Sequence, residues 1–329
     1  MDILLMLGLF IVVGGGAGFA ASRLAIYAEG VKEKTRTSYA FIGFLIGVAI
    51  SLPELTSSVT AIAIDSPDIA VGNLVGSNLF NIMGLAIFDV VYRKHQIMSY
   101  ATQESKLYGW LVILITLAVM LGLTLTLPSH FFHISYTSIL IVLIYFVGAH
   151  YINNRTEYQG RKISRGKGYF DRYSYKQVMV RFIAGAIGIM VLGSILTIVA
   201  DRLAVMTGLG ASFVGSFLVA ASTSLPDAVS VGTALKMRNF NLAISSLLGS
   251  NAFNLMILAF TDGIYFQGNL LHEASKANII TAAVSILFIL LLLYSITRRH
   301  KRRMWVYLIP SLLIIVFYFV ATYLVFELK

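Results

Sequence analysis

Cysteine is absent from this 329-residue chain. That excludes disulfides and thiolate metal sites, and it leaves the redox state of the compartment unread. Charge is scarce as well. Asp, Glu, Lys and Arg make up 12% of the residues, where a soluble domain carries about 25%, too few to cover a soluble fold. No Walker loop or dinucleotide fingerprint is apparent, so no nucleotide, no cofactor and no enzymatic activity is expected. The ten-residue alternation of a membrane β-barrel is missing too. The six histidines lie at or near hinges without metal-ligand spacing.

What the chain does have is hydrophobic residues, 58% of the total, gathered in runs such as LYGWLVILITLAVMLGLTLTL and NIITAAVSILFILLLLYSI. Each is near the roughly 20 residues that cross a hydrocarbon core. The fold class read from this pattern is an all-α polytopic membrane protein. Ten spans are expected, at about 2–26, 39–64, 69–91, 107–127, 132–152, 178–200, 211–235, 240–265, 276–297 and 304–327. The first lacks the basic leader of a signal peptide and reads as an uncleaved span. Tyr108 and Trp110, near a span end, read as interface anchors.

The formal charge of +10 does not point to nucleic acid, because of where it sits. Lys32, Lys34 and Arg36 follow the first span, and Arg93, Lys94 and Lys106 the third. Arg155, Arg161, Lys162, Arg165, Lys167, Arg172 and Lys176 follow the fifth, Lys236 and Arg238 the seventh, and Arg298, Arg299, Lys301, Arg302 and Arg303 the ninth. The even hinges hold almost none. The positive-inside bias puts every odd hinge in the cytoplasm and both termini outside. The expected location is a prokaryotic plasma (inner) membrane, with the lipid bilayer and inorganic cations as partners.

The chain matches itself without gaps at an offset of 173. Ser51, Leu52, Pro53 and Glu54 meet Ser224, Leu225, Pro226 and Asp227. Gly76, Ser77, Asn78, Phe80 and Asn81 meet Gly249, Ser250, Asn251, Phe253 and Asn254. From Gly43 to Asp89, 19 of 47 pairs are identical. Upstream, ASRLA from Ala21 meets ADRLA from Ala200. Five spans per copy is an odd number, so the second copy should lie upside down. The expected layout is a first half over 1–152, a short basic cytoplasmic linker over 153–177 and a second half over 178–329. Inverted repeats are a signature of alternating-access transporters, and they place the substrate where the copies meet near the midplane.

The repeated motif carries unusual groups for such a chain. Ser51, Pro53 and Glu54 are expected on one helix, where Ser51 and Glu54, three apart, share a face. Pro53 and Pro226 have no N–H, which frees the carbonyls of Ala49 and Ser222, and in lipid a freed carbonyl needs another partner. Ser77 and Asn81 are four apart, as are Ser250 and Asn254. The small residues Gly76 and Gly249 permit close helix approach. Taken singly, a Ser or Asn in a membrane helix is usually a packing group and a Pro a kink. A mid-membrane carboxylate costs about 2.5–3.5 kcal/mol or more and signals function; Glu54 and Asp227 are two, at matched positions. Asp89 and Asp262, nearer span ends, read as structural, capping helices or pairing with basic neighbours. The whole is an all-oxygen set suited to Ca²⁺, Mg²⁺ or Na⁺. An antiporter, a passive cation channel and a scaffold with a vestigial site all remain open on the residues alone.

At SLPE…GNLVGSNLFN and TSLPD…SSLLGSNAFN the sequence resembles the cation/calcium exchanger superfamily, sodium/calcium exchanger type, over both halves. The resemblance implies ten helices in two inverted five-helix repeats and exchange of a divalent cation, Ca²⁺ first, for Na⁺ or H⁺. It implies Glu54 and Asp227 as central ligands ringed by Ser51, Ser77, Asn81, Thr223, Ser224 and Ser250; Asn254, four residues from Ser250, completes the expected metal set on the reading of the residues. The chain departs from the family pattern at five places. Ile50 stands for Thr or Asn, Ser222 for Gly, Asp227 for Glu, Ser245-Ser246 for Gly-Asn, and Asn254 where sodium-coupled relatives commonly carry Asp. A site of formal charge −2 is balanced by one divalent or two monovalent ions.

The charge pattern predicts that cysteines introduced at Ser164 and near Lys329 label from opposite sides of the membrane. Labelling from one side would refute the odd-numbered repeat.

Overall fold

The computed structural model describes residues 3–34, 50–125, 130–131, 134–155, 172–298 and 303–327. Its helices are α1 (Ile3–Lys34), α2 (Leu52–Ala63), α3 (Pro67–Val91), α4 (Gln103–Thr124), α5 (Tyr136–Arg155) and α6 (Tyr175–Thr207). They continue with α7 (Ala211–Thr223, with a π-helical stretch at Val214–Val219), α8 (Leu225–Lys236), α9 (Phe240–Gly263), α10 (Leu270–Glu273), α11 (Ala277–Thr297) and α12 (Met304–Glu327). A two-residue ladder, His130–Phe131 against Ile134–Ser135, precedes α5.

Among the described residues, eight helices are long and apolar enough to cross a membrane, and α7 with α8 adds a ninth as a pair bent by 44°. All-helical architecture and membrane spans therefore stand. Of the second expected span, residues 39–49 lie outside the described residues, as do most of the linker's basic residues and Lys329.

Local chemistry explains the ends. Ser174 caps α6 through a reciprocal pair: its Oγ accepts the Gln177 N–H at 3.3 Å, and Gln177 Oε1 accepts the Ser174 N–H at 2.9 Å. Gly208, in the left-handed region at φ 65°, ends it. The offset of 173 recurs in the backbone. Leu52–Ala63 shifted by 173 is Leu225–Lys236, the bounds of α8. Between α2 and α3, Asp65 takes φ 57°; at 65 + 173, Arg238 takes φ 55°. Both turns close alike, with Ser66 N–H on Ala61 O and Asn239 N–H on Ala234 O.

The buried polar side chains are set within a largely apolar core. The most buried spans are α3 (67%) and α9 (61%), while α5 (22%) and α6 (28%) turn large apolar side chains outward. The long helices α1 and α6 pack along each other. Hydroxyls tie α6 to α2: Thr60 Oγ1 donates to Ser194 Oγ at 2.9 Å, and Thr197 Oγ1 to the carbonyl of Ser57 at 3.2 Å. Gly76 brings α3 against α7, where a Cβ would meet the Ser216 carbonyl oxygen at 2.1 Å. Gly249 meets nothing within 4 Å among the described residues, so the close approach expected at both glycines is seen at Gly76 alone.

Gly76→Ala should destabilise the protein by about 1–3 kcal/mol or more through overpacking against backbone. Gly8→Ala, on an open surface, should be near neutral. Thermal unfolding in detergent would check both, and equal effects would refute the packing account.

Candidate cation site

The two acidic motifs sit where a helix stops and restarts. Ser51 precedes α2 with φ −91° and ψ 8°; Ser224 precedes α8 with φ −84° and ψ 3°. This corrects the expectation that Ser51, Pro53 and Glu54 share one continuous helix. The reason lies in the prolines. Inside a helix, Pro removes a hydrogen bond and clashes with the carbonyl four residues back. In a first turn its missing N–H costs nothing, since those donors lack helical partners anyway. The break also puts Glu54 and Asp227 in first turns, at the positive end of a helix dipole, where a carboxylate is favoured. The Ser51 and Ser224 carbonyls accept the N–H groups of Leu55 and Ala228 at 3.0 and 3.1 Å. Pro226 offers no donor to the Ser222 carbonyl; Ala49, the matching acceptor, lies outside the described residues.

Each carboxylate is held in part by the other half of the chain. Glu54 Oε1 accepts from Ser224 Oγ at 3.2 Å. Asp227 accepts from Ser250 Oγ at 3.0 and 2.8 Å and from Asn81 Nδ2 at 3.0 Å. Both acids are buried, and neither is paired with a basic side chain among the described residues. Ser77 Oγ lies 3.5 Å from Thr223 Oγ1, which donates to Asn73 Oδ1 at 3.0 Å. Asn73 Nδ2 in turn donates to the Glu54 carbonyl and to Ser58 Oγ.

An amide lattice joins α3 to α9, and it is reciprocal. Asn78 Nδ2 donates to the Asn251 carbonyl at 3.0 Å, and Asn251 Nδ2 to the Asn78 carbonyl at 3.2 Å. Asn81 Nδ2 donates to Asn251 Oδ1 at 2.9 Å, and Asn254 Nδ2 to Asn78 Oδ1 at 3.2 Å. Since 78 + 173 is 251 and 81 + 173 is 254, each pair of bonds is one contact made twice.

The structure thus gathers eight of the nine expected residues into a polar network of two hydrogen-bonded clusters: Glu54, Ser224, Thr223 and Ser77 with Asn73, and Asp227, Ser250, Asn81 and Asn254 with the Asn78–Asn251 lattice. Ser51 is buried at the helix start without a side-chain capping bond. Asn73, Asn78, Asn251 and Ser58 belong to the network and were not among the expected site residues. Asn78 and Asn251 were legible, being the Asn of the two GSN motifs. Three buried oxygens of the network have no hydrogen-bond partner: Glu54 Oε2, Asn81 Oδ1 and Asn254 Oδ1. A buried orphan acceptor costs about 1–3 kcal/mol, more if charged. One is on Glu54 itself and one on Asn81, which bonds to Asp227; together with Asn254 Oδ1 they are electron pairs that a cation would satisfy.

Asp89 and Asp262 stand apart from this network. Asp89 accepts from Tyr307 Oη at 2.5 Å and Ser311 Oγ at 2.6 Å, both on α12. Asp262 accepts the N–H groups of Ser135 at 3.1 Å and Leu270 at 2.9 Å. Asp262 fits the expected capping role. For Asp89, hydroxyls supply the hydrogen bonds and Arg298 is the basic neighbour that acts on it through space, its guanidinium donating to the carbonyls of Val306 and Tyr307.

Residues 5–153 and 178–327 match the family model described as "Sodium/calcium exchanger protein". A protein of Alkalimonas amylolytica carrying the provisional name antiporter CaxA is 26% identical over 261 residues, 77% of each chain. Among solved structures, the H⁺/Ca²⁺ exchanger CAX superposes with a TM-score of 0.67 at 14% identity, over 98% of this chain and 92% of that one. The sodium-calcium exchanger NCX_Mj gives 0.57 at 20% identity, over 97% and 98%. At such identities the likeness is one of fold.

Asn78→Ala would strand the buried Nδ2 of Asn254 and take the side-chain donor from the Asn251 carbonyl at the α3–α9 contact. A loss of about 1–3 kcal/mol is expected, read as a lowered melting temperature. No change would mean that water replaces the lattice.

Proposed function

The chain belongs to the sodium/calcium exchanger protein family, and on that premise we propose that it is a secondary antiporter exchanging a divalent cation, Ca²⁺ first, for Na⁺ or H⁺ by alternating access. The observation that carries the reading is the pair of buried, unneutralised carboxylates at matched positions, with Glu54 Oε2, Asn81 Oδ1 and Asn254 Oδ1 left without partners. A cation binding there exchanges water for carboxylate, amide and hydroxyl oxygens, with the Ser222 carbonyl, which receives no bond from Pro226, available beside them. Glu54 and Asp227 supply the charge. Ser51, Ser77, Asn81, Thr223, Ser224, Ser250 and Asn254 supply or orient the neutral oxygens.

The architecture in this proposal is ten spans in two inverted halves, 1–152 and 178–329, joined by the basic stretch 153–177, in a prokaryotic plasma membrane with both termini outside. Its support is the alternating hinge charge, the helix bounds that recur after 173 residues, and the reciprocal amide contacts between α3 and α9. An inverted pair gives two conformations related by exchanging the roles of the halves. The helix breaks at Ser51 and Ser224 give each half a joint beside its carboxylate. A formal site charge of −2 favours one divalent ion against two monovalent ones, a nearly electroneutral cycle. A third monovalent ion would leave an uncompensated charge away from water.

Counter-flow in proteoliposomes across Ca²⁺, Mg²⁺, Mn²⁺, Na⁺, K⁺ and pH gradients tests the reaction: flux must depend on the counter-ion on the far side, which a channel's flux would not. Glu54→Gln should abolish divalent transport, because one acid cannot balance a 2+ charge in low dielectric; normal flux with normal expression would sink the assignment. With potential clamped by K⁺ and valinomycin, exchange should respond weakly to voltage, where each net charge moved would couple by about 2.3 kcal/mol per 100 mV. Asn254→Asp should raise that sensitivity, and a strongly voltage-driven parent protein would refute the count.

A further inference from the structure

A second polar group lies at the head of α3, away from the central acids. Asp68, half-buried in its first turn, accepts the Ser275 N–H at 2.5 Å and Asn278 Nδ2 at 3.3 Å. The Ser212 side chain lies close by. Helix capping explains part of this, and the other half of the chain shows how much. At 68 + 173 stands Asn241, whose Oδ1 accepts the N–H of Thr102, at 275 − 173, at 3.2 Å. A neutral amide performs the same backbone task. The charge of Asp68 is therefore surplus to capping, and no basic side chain pairs with it among the described residues.

A second difference lies on α11. Asn278 is fully buried and its Oδ1 has no partner, whereas its counterpart Ser105 (278 − 173) is closed by Ser245 Oγ at 2.8 Å. Three and seven residues on, Thr281 and Ser285 follow on the same face. Thr281 Oγ1 lies 3.5 Å from Ser216 Oγ, and Ser285 Oγ has no partner. Their counterparts are Tyr108 and Val112, so the polar row exists in one half only. Ser216 sits in the π-helical stretch of α7, a feature frequent at functional sites. It packs against Gly72 and Gly76, next to Ser77 of the central network. From Asp68 to Ser77 is nine residues of α3, roughly 14 Å at 1.5 Å per residue.

We propose that Asp68, Asn278 and Ser212 form an outer seat for a single Na⁺, and that Thr281 and Ser216 line its way to the central carboxylates. The proposal rests on the antiporter reading. One carboxylate balances one monovalent ion; a divalent ion would keep a net charge in a half-buried setting. A proton would occupy the carboxylate alone and leave the Asn278 oxygen unserved, whereas Na⁺ takes carboxylate, amide and hydroxyl oxygens together. Half a turn of the amide exchanges Nδ2, now at a long 3.3 Å from the carboxylate, for the oxygen.

The decisive variant is Asp68→Asn, which reproduces the side chain that caps at Asn241 and so keeps the fold. In a Glu54→Gln, Asp227→Asn background, with choline replacing Na⁺, added Na⁺ should still raise the melting temperature in detergent. Asp68→Asn or Asn278→Leu should remove that rise. In the parent protein, Asp68→Asn should raise the Na⁺ concentration for half-maximal exchange about tenfold, the loss of one charge-assisted contact, with Ca²⁺ affinity unchanged. Several results would overturn the seat. One is the absence of Na⁺ stabilisation in the neutralised background, and another is its persistence in Asp68→Asn. A parallel loss of Ca²⁺ and Na⁺ affinity would do the same. Stabilisation by acid without Na⁺, lost in Asp68→Asn, would reassign the group to a proton. If the parent protein exchanges no Ca²⁺, the antiporter reading falls while the Na⁺ melting data still decide the seat.

Discussion

Two carboxylates held away from water without a cationic side chain beside them are the constraint around which this molecule is arranged. Such a charge is expensive, and the surrounding groups are what make it tolerable. Broken helices turn their N-termini toward Glu54 and Asp227. Hydroxyls from Ser224 and Ser250 reach them, and the Asn81 amide spans from one half to the acid of the other. The deficit that remains is three orphan oxygens, the feature on which the proposed ion site rests.

Pseudo-symmetry carries this arrangement but does not make it uniform. The amide lattice of Asn78, Asn81, Asn251 and Asn254 is the same contact made twice. The acids above it are served unequally. Asp227 receives three hydrogen bonds from two side chains, and Glu54 receives one. The amide contact is thus duplicated, while the hydrogen bonding of the two acids is not.

Much of this was legible in the sequence, for identifiable reasons. Span positions follow from hydrophobic length, so α3, α9, α11 and α12 fall within a few residues of the expected spans. The site residues were findable because a polar group in an apolar run is conspicuous, and twice as conspicuous when repeated. The helix breaks were not readable. Proline signals a lost hydrogen bond, but whether the helix kinks or restarts depends on what receives the freed groups in three dimensions. Nor could the partners of Asp89 be foreseen. Tyr307 and Ser311 lie 218 and 222 residues away and look like ordinary members of a lipid-facing helix.

That last pairing bears on how the chain is made. Asp89 enters the membrane with α3, early in synthesis, but its hydroxyl partners are on the last helix. Asp262 takes its N–H from Ser135 of the opposite half. At roughly 5–20 residues per second, the 218 residues separating Asp89 from Tyr307 take about 10–45 s to synthesise. Throughout that interval the carboxylate lacks its final contacts in a medium that punishes the lack. The first half is therefore an assembly intermediate that must wait, or stay near water or the insertion machinery, until the C-terminal helix arrives. Removal of α12 would strand a buried acid in the first third of the chain, taking away both hydroxyls that serve Asp89.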